Sequence, residues 1–287
     1  AIIAPILSAI ADYSGNKNRF LQFFCFLGAI SASLLFFFDP VNTGAERLPF
    51  SLGVTIIPLF FASVGYWGSL VYYNAYLPEI AEPKDHDRIS ARGFSMGYAG
   101  SALLLIIVLV LTTFKIMPFK MAFPLVGLWW VSFAMVTFRR LPNNVYNRKV
   151  EGNIIKKGYQ ELGKVWKDIR LRIQLRRYLA SYFLFNMAVQ TVMIMATAFA
   201  NKEVQGIKTQ DLIISILIIQ FVAILGAFLF SKLSASIGNL RTLAIAIVIW
   251  IFLCAGVYFL VHVPWEFYIA AAVVGLLMGG IQAIARS

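Results

Sequence analysis

The sequence predicts an all-α protein that crosses a membrane several times, and three observations support this. Of the 287 residues, 60% are hydrophobic and only 13% are charged, whereas soluble domains have about 25% charged residues. The apolar residues form uncharged runs, and about 20 residues of helix are enough to span a bilayer. The runs show no alternating β-barrel pattern, and in lipid the backbone must be satisfied within a helix.

Eight uncharged runs predict eight spans, and apolar residues 1–11 predict the end of a further one. Because the chain opens inside this first segment and without Met, we expect a fragment. The runs cover residues 20–38, 48–77, 93–114, 121–138, 178–201, 212–231, 242–261 and 267–285.

The positions of Lys and Arg predict the orientation. If the loop at residues 12–19 is cytoplasmic and the spans alternate, 20 of the 25 bases fall on the inner side. A missed span would invert every later loop, so this bias also supports the span count. The net charge of +12 therefore indicates membrane topology rather than nucleic-acid binding.

The connection at residues 139–177 contains an amphipathic helix. Its apolar positions recur at spacings of three and four: Ile155, Tyr159, Leu162, Trp166, Ile169 and Ile173. Either this helix lies on the inner membrane surface, where anionic lipid attracts its bases, or it packs on the transmembrane bundle as a structural latch. Residues 158–165 lack the hydroxyl and the preceding strand of a nucleotide-binding loop, so no cofactor is expected. The two cysteines predict neither a disulfide framework nor a metal site.

The first loop carries a known pattern. Residues 8–19 read S-A-I-A-D-Y-S-G-N-K-N-R, which resembles the G-x-L-a-D-r-x-G-r-k loop of the major facilitator superfamily. In that family the loop joins the second and third spans on the cytoplasmic side. Gly15 permits a tight turn, and Asp12 can pair with a base or a helix N-terminus as part of a conformational latch. The alternative is a loop that only sets topology, with a capping aspartate.

A degenerate second copy lies at residues 231–241, S-K-L-S-A-S-I-G-N-L-R, where Ala235 replaces the acid. Two repeats around a long connection are typical of the halves of major facilitator proteins. The resemblance implies a major facilitator fold of two pseudo-repeated helical bundles, truncated at both ends. We expect an N-terminal bundle at 1–138, a cytoplasmic basic loop with the amphipathic helix at 139–177, and a C-terminal bundle at 178–287.

Four further stretches together resemble one branch of the superfamily, the autophagy-related vacuolar amino-acid effluxers of fungi and their bacterial relatives. They are YYNAYLPEIA (72–81), RISARGFSMGYAGS (88–101), VQTVMIMATAFA (189–200) and GGIQAIARS (279–287). Relatives have twelve spans, so we expect this chain to lack the first span and the last two. The family often has Asn-Asp-Gly before Val-Gln-Thr in the seventh span. Here Met187 replaces that acid, which removes the easiest candidate for a proton-coupling site.

No Asp, Glu, Lys, Arg or His lies within the eight runs, so amides and aromatics are the candidate substrate ligands. In the superfamily the first, fourth, seventh and tenth spans line the central cavity. The cavity candidates are therefore Tyr66, Tyr73, Asn74, Asn186, Gln190 and Gln282. Amides can bind amino or carboxyl groups without burying a charge; the alternative role is hydrogen bonding between helices.

Residues with a predicted conformational role lie nearer the helix ends. The candidates for a latch are Asp12, Gly15, Lys17, Arg19, Arg88 and Arg92. Glu79, Glu82, Asp85 and Asp87 mingle with bases in the inner loop after the fourth span, as an inside gate or as a solvated loop. Small residues predict close helix packing, either at moving interfaces or as simple packing. They are Gly93, Gly97 and Gly100 with Ser101 in the fifth span and Gly275 with Gly279 in the tenth.

These features predict a secondary active transporter that moves a small solute by alternating access, with amino-acid efflux implied by the resemblance. The alternative is a non-transporting scaffold or receptor on a transporter fold. No enzyme activity is expected, because the spans contain no cluster of acids, histidines or cysteines. The expected partners are the lipid bilayer, a small solute and protons as coupling ion, without nucleic acid. We expect a multi-pass protein of the bacterial inner (plasma) membrane, and no transport by the fragment alone.

Overall fold

The computed structural model describes residues 17–37, 48–142 and 154–286, and within these ranges every regular element is a helix. Ten α-helices follow one another: α1 (Lys17–Leu34), α2 (Leu48–Ala75), α3 (Leu77–Ile80), α4 (His86–Thr113), α5 (Ala122–Arg140), α6 (Ile154–Leu171), α7 (Ile173–Glu203), α8 (Thr209–Ile237), α9 (Asn239–Leu260) and α10 (Pro264–Arg286). Short 3₁₀ turns occur at Leu35–Phe37, Pro83–Asp85 and Phe119–Met121.

Eight stretches of the described chain are long and apolar enough to cross a membrane, which confirms the eight predicted spans. Several helices extend beyond the uncharged runs into charged sequence. α7 has 31 residues, or about 46 Å at the usual rise per residue, against about 30 Å of hydrocarbon. Large apolar side chains face outward along the spans, among them Ile194, Phe252 and Tyr258, each at least 70% exposed. Such a surface suits lipid as the solvent.

The chain forms two compact units whose parts interleave along the sequence. The described residues up to 79 and between 106 and 171 make the first unit, and those between 80 and 105 and from 172 onward make the second. Residues 86–105 of α4 thus belong with helices that follow the long connection. The ranges expected from the sequence for the two bundles and the connecting loop stay predictions.

In the first unit α1 packs against α2 and α5, with backbones close together. A Cβ added at Gly65 would overlap the backbone of Gly28, and one at Gly127 would come within 2.6 Å of the Ala29 carbonyl oxygen. The buried core is largely aromatic, and Tyr72 stacks on Phe20 and Phe24. Its members are Leu21, Phe24, Cys25, Tyr72, Tyr76, Ala134 and Phe138.

In the second unit α8 and α10 are in backbone contact. An added Cβ at Gly279 would overlap the Ala223 carbonyl, and one at Gly275 would lie 2.7 Å from the Ile219 oxygen. The close packing predicted at Gly275 and Gly279 is therefore confirmed. α9 and α7 pack against this pair around a core of Phe185, Val189, Phe230, Leu243, Ala246, Trp250, Leu277, Met278, Ile281 and Ile284.

The same expectation is wrong at Gly97 and Gly100 of α4. No atom of the described chain lies within 4 Å of a Cβ added at Gly97 or Gly100. These glycines lie on a different side of α4 from the alanine that makes its close contact. Ala91 packs with Ala227 and Ala283 in a fully buried cluster. Alanine, not glycine, is the small residue at this interface.

Replacing Gly279 by Ala should lower the stability of the second unit, because the added methyl collides with the α8 backbone. Overpacking of this kind costs about 1–3 kcal/mol. Thermal unfolding in detergent, followed by tryptophan fluorescence, measures the effect. Gly97→Ala is the matched control: its methyl meets open space, so its melting temperature should equal or exceed that of the wild type. Equal melting temperatures for the two variants would contradict the prediction.

Candidate functional site

A buried ion pair ties the start of α1 to the end of the fourth span. Lys17 Nζ lies 2.5 Å from Glu79 Oε1, and the two side chains are only 13% and 4% exposed. Lys17 belongs to the loop pattern at residues 8–19, and Glu79 is one of the acids of the predicted inner gate. Bringing two charges out of water is favourable only when they pair closely. This contact therefore fixes the positions of both helix ends.

The next residue holds a third helix at the same end of the first unit. Asn18 is buried, and its Nδ2 donates a hydrogen bond of 3.1 Å to the carbonyl oxygen of Phe138. That carbonyl is in the last turn of α5, where the helix itself leaves oxygens without partners. The segment 17–18 thus joins α1 to α3 and α5 together.

The remaining latch candidates are surface residues or lie outside the described chain. Asp12 and Gly15 lie outside the described residues. Arg19 and Arg92 are exposed. Arg88 pairs with Asp85 at 3.0 Å three residues earlier, with its side chain 62% exposed, and such surface pairs contribute little. The latch role of these residues stays a prediction.

In the second unit a carboxylate at the start of α4 binds the junction of α8 and α9. Asp87 Oδ2 accepts a hydrogen bond of 2.9 Å from Ser234 Oγ, and its Oδ1 accepts one of 3.2 Å from Asn239 Nδ2. Ser234 Oγ also contacts the Asn239 side chain. A carboxylate in the first turn of a helix is favoured by the helix dipole. Both serine and asparagine belong to the second, degenerate copy of the loop pattern.

Gly238 makes this junction possible. It is the single residue between α8 and α9, with φ 88° and ψ 153°, a conformation essentially restricted to glycine. Its N–H donates to the Ser234 carbonyl at 2.8 Å, and its own carbonyl accepts from the Thr242 N–H at 3.1 Å. The turn thus holds Ser234 and Asn239 beside each other, where both reach Asp87.

One face of α4 continues the contact along α10. Ser90 Oγ donates a hydrogen bond of 2.7 Å to the Ala283 carbonyl, and Tyr98 OH donates one of 2.6 Å to Gln282 Oε1. The Arg286 guanidinium lies 6.0 Å from the Phe94 ring centroid. Because the α4 residues follow at helical spacing, one stripe from position 87 to 98 contacts the ends of α8, α9 and α10.

The six cavity candidates divide between the two units. Tyr66, Tyr73 and Asn74 lie on α2 in the first unit, and Asn186, Gln190 and Gln282 lie on α7 and α10 in the second. Tyr66 is 49% exposed, and its ring packs edge-on against Trp67 and Trp130. Tyr73 packs against the aromatic core of the first unit. Their role as substrate ligands stays a prediction.

Among these candidates, Asn74 is distinguished by its carbonyl oxygen. Asn74 Oδ1 is buried and has no hydrogen-bond partner among the described residues. An unmet buried acceptor costs about 1–3 kcal/mol. A ligand that supplies an N–H donor would remove that cost. Gln282, by contrast, already has Tyr98 as a donor.

A separate polar cluster closes the opposite end of the second unit. Asp211 Oδ1 accepts a hydrogen bond of 2.5 Å from Tyr268 OH, and its Oδ2 accepts one of 2.7 Å from the Lys208 N–H. The His262 carbonyl accepts from the Gln205 N–H at 2.8 Å.

Within the described chain, no group of three or more His, Cys, Asp or Glu residues could hold a metal ion.

A family model described as "Vacuole effluxer Atg22 like" matches the chain over residues 1–86 and 81–287. The chain belongs to this family. The predicted branch of the major facilitator superfamily is thereby confirmed, and the chain has the fold of that superfamily.

Individual relatives agree with the Atg22-like assignment. The MFS-type transporter YxiO of Bacillus subtilis is 30% identical over 298 residues, covering 100% of this chain and 66% of the relative. Autophagy-related protein 22-2 of Aspergillus oryzae is 25% identical and is covered to 60%, and autophagy-related protein 22 of Coccidioides immitis is 23% identical and is covered to 59%. The chain therefore spans somewhat less than two thirds of these relatives. No solved structure matches it.

Sequence reasoning missed several polar residues of this Atg22-like chain. Ser90, Tyr98, Ser234 and Asn239 were not candidates, although each makes a contact between helices. Ser90 and Tyr98 could have been found from their helical spacing on α4. Ser234 and Asn239 could have been found from their place in the second copy of the loop pattern. Gln220 on α8 was also missed: its Oε1 is buried without a partner among the described residues. Gln220 lies in the eighth span, outside the four spans that line the cavity in the superfamily, so the criterion that selected Asn186 and Gln190 did not include it.

Replacing Glu79 by Gln should destabilise the protein by about 3 kcal/mol, because the buried Lys17 ammonium would lose the carboxylate that lies 2.5 Å from it. Thermal unfolding of the purified protein in detergent measures the loss. Glu82→Gln is the matched control, since Glu82 pairs with Lys84 on the surface with 71% and 75% of the side chains exposed. We expect a change below about 1 kcal/mol there. A similar melting temperature for both variants would show that the buried pair does not hold the helix ends.

Proposed function

We propose that the protein is a secondary active transporter that moves a small solute across a membrane by alternating access. The family and its relatives support this, since they are named as effluxers and as an MFS-type transporter. The observation that carries the proposal is the stripe on α4. A helix that precedes the long connection contacts the ends of α8, α9 and α10, which follow it. Contacts of this kind can form in one state and break in another.

The polar ends of these helices suit a reversible contact. Asp87 gains two charge-assisted hydrogen bonds in the contact, and such bonds are stronger than neutral ones. Near the helix ends the carboxylate can return to water when the contact opens. Lys17 and Glu79, which are more deeply buried, provide the fixed part of the first unit. We therefore place a movable latch at Asp87 in the second unit, with Arg88 and Arg92 on the same helix. Lys17 and Arg19 stay latch candidates of the first unit.

We propose that the solute is an amino acid or a similar small molecule and that transport is outward. The family model is described as "Vacuole effluxer Atg22 like", which supports the direction. Asn74 supports the chemistry, because its unmet carbonyl oxygen can accept a hydrogen bond from an ammonium group. Tyr66 and Tyr73 in the first unit, and Asn186, Gln190 and Gln282 in the second, are the other proposed substrate ligands. The proposed coupling ion is the proton.

We also propose that the protein resides in a bacterial inner membrane, with its basic connection in the cytoplasm. The bacterial relative and the distribution of Lys and Arg support this location. The bilayer and the solute are then its partners.

The test is efflux from proteoliposomes that contain the full gene product. Vesicles are loaded with a panel of labelled amino acids, and release is followed with and without an imposed pH gradient. Saturable release of at least one amino acid is expected. Its absence for every amino acid, from protein shown to be folded, would refute the substrate class and favour a non-transporting scaffold. An equal rate of release with and without the pH gradient would argue against proton coupling.

Within this assay, Asn74→Ala should raise the KM about tenfold, because the solute loses one buried hydrogen bond worth about 1.4 kcal/mol. The maximal rate should stay nearly unchanged. Asn201→Ala is the matched control, since Asn201 is exposed and bonds only to the Thr197 carbonyl at 3.0 Å within its own helix. Equal KM values for both variants would remove Asn74 from the proposed cavity.

Replacing Asp87 by Asn should slow transport about tenfold, because the state that contains the contact loses charge-assisted hydrogen bonds worth about 1.4 kcal/mol or more. The initial rate of release at saturating solute reports this. Asp85→Asn is the matched control, because Asp85 contacts the surface residue Arg88 instead of another helix. If both variants transport at the wild-type rate, the contact at Asp87 is not a step in transport.

A further inference from the structure

α6 carries an apolar face that is exposed in the structure. Leu162, Val165, Trp166 and Ile169 follow at spacings of three, one and three, which places them on one side of a helix. Val165 is 52% and Trp166 is 57% exposed. A water-soluble surface rarely exposes a tryptophan within an apolar stripe without a partner.

The described chain provides no protein surface that covers this face. α6 is absent from the helix pairs that pack broadly against each other. The contact shown at its apolar edge is local, with the Arg170 guanidinium 5.5 Å from the Trp166 ring centroid. The structure therefore favours the membrane-surface interpretation of this helix over the structural latch.

The covalent chain keeps the last residue of α6 close to the first residue of α7. Only Arg172 separates the two helices, and it is extended, with φ −97° and ψ 91°. One residue spans about 3.5 Å at most. Since α7 is one of the helices able to cross the membrane, the last turn of α6 must lie close to the membrane boundary.

The charge around this joint is strongly positive. Residues 154–177 contain eight bases and two acids. The bases are Lys156, Lys157, Lys164, Lys167, Arg170, Arg172, Arg176 and Arg177. Lysines and arginines near an anionic membrane surface contribute about 1 kcal/mol each. The combination of an apolar face with flanking bases matches the composition of interfacial helices.

We propose that α6 is a binding surface for anionic phospholipids of the inner leaflet. Leu162, Val165, Trp166 and Ile169 enter the headgroup region. Lys164, Lys167 and Arg170 lie beside and above them, within reach of lipid phosphates. This surface does not depend on the proposed transport function, and it would exist equally in a scaffold.

The test compares hydrogen exchange of the α6 amides in the full gene product, reconstituted in two kinds of nanodisc. One contains only phosphatidylcholine, and the other contains 30 mol% phosphatidylglycerol as the probe. We expect exchange about tenfold slower in the anionic discs, with the difference reduced at high salt. Equal exchange in both discs would overturn the proposal, because a helix packed on protein does not respond to lipid charge.

Two sets of variants locate the effect. Lys164→Glu with Lys167→Glu should abolish the difference between the discs. The control, Lys115→Glu with Lys202→Glu, makes the same change in charge at exposed positions outside α6 and should keep the difference. Trp166→Ser should speed exchange in anionic discs, whereas Trp166→Phe should not. If the Lys164 and Lys167 variant still responds fully to phosphatidylglycerol, these bases do not bind the lipid and the proposal fails.

Discussion

The backbone contact between α8 and α10 is the constraint on which the second unit depends. In lipid, two helices gain little from apolar burial, because the hydrocarbon around them is equally apolar. Dispersion contacts and hydrogen bonds must hold them together, and both require short distances. Gly275 and Gly279 permit that approach on α10, and Gly226 permits it on α8, where an added Cβ would overlap the Leu276 carbonyl. α9, α7 and the first half of α4 then pack against a pair of fixed geometry.

Polar side chains complete this packing at the helix ends. Lys17 with Glu79, Asp87 with Ser234, and Asp211 with Tyr268 all lie near the start or the end of a long helix. At Asp87 and Asp211 water or headgroups can solvate the carboxylate when it loses its partner, whereas Lys17 and Glu79 are too deeply buried for this. The middle of the spans is held by small residues, aromatic rings and amides. The division follows from the cost of an unpaired charge in hydrocarbon, and it separates the parts that can exchange partners from those that cannot.

The sequence predicted the membrane-spanning helices well because long uncharged runs are a strong signal. A run of 20 uncharged residues has few other interpretations, and the family resemblance at 72–81 and 88–101 was correct. The contacts were harder to predict. Gly97 and Gly100 fit a packing pattern that α4 does not use, because the spacing of small residues says nothing about which face meets a neighbour. The bond from Asp87 to Ser234 joins residues 147 positions apart, and spacing within one helix contains no information about such a pair.

The second loop copy shows both what the sequence predicted, the local turn, and what it did not, the contact with another helix. Its turn followed from Gly238, whose positive φ is the conformation that glycine permits. It lacks the acid of the first loop, because Ala235 stands in its place. In the structure a carboxylate reaches the same junction from α4. A pattern read along one segment could not reveal an acid contributed by another.

The uncharged middle of the described spans has an electrical consequence. Moving one elementary charge through a membrane potential of 100 mV involves about 2.3 kcal/mol. The runs at 20–37, 93–113, 121–138, 178–201, 212–231, 242–261 and 267–285 contain no Asp, Glu, Lys, Arg or His. A rearrangement of these helices would therefore carry no gating charge from their interiors across the field. Voltage would act on this part of the protein only through whatever charged solute or ion occupies it.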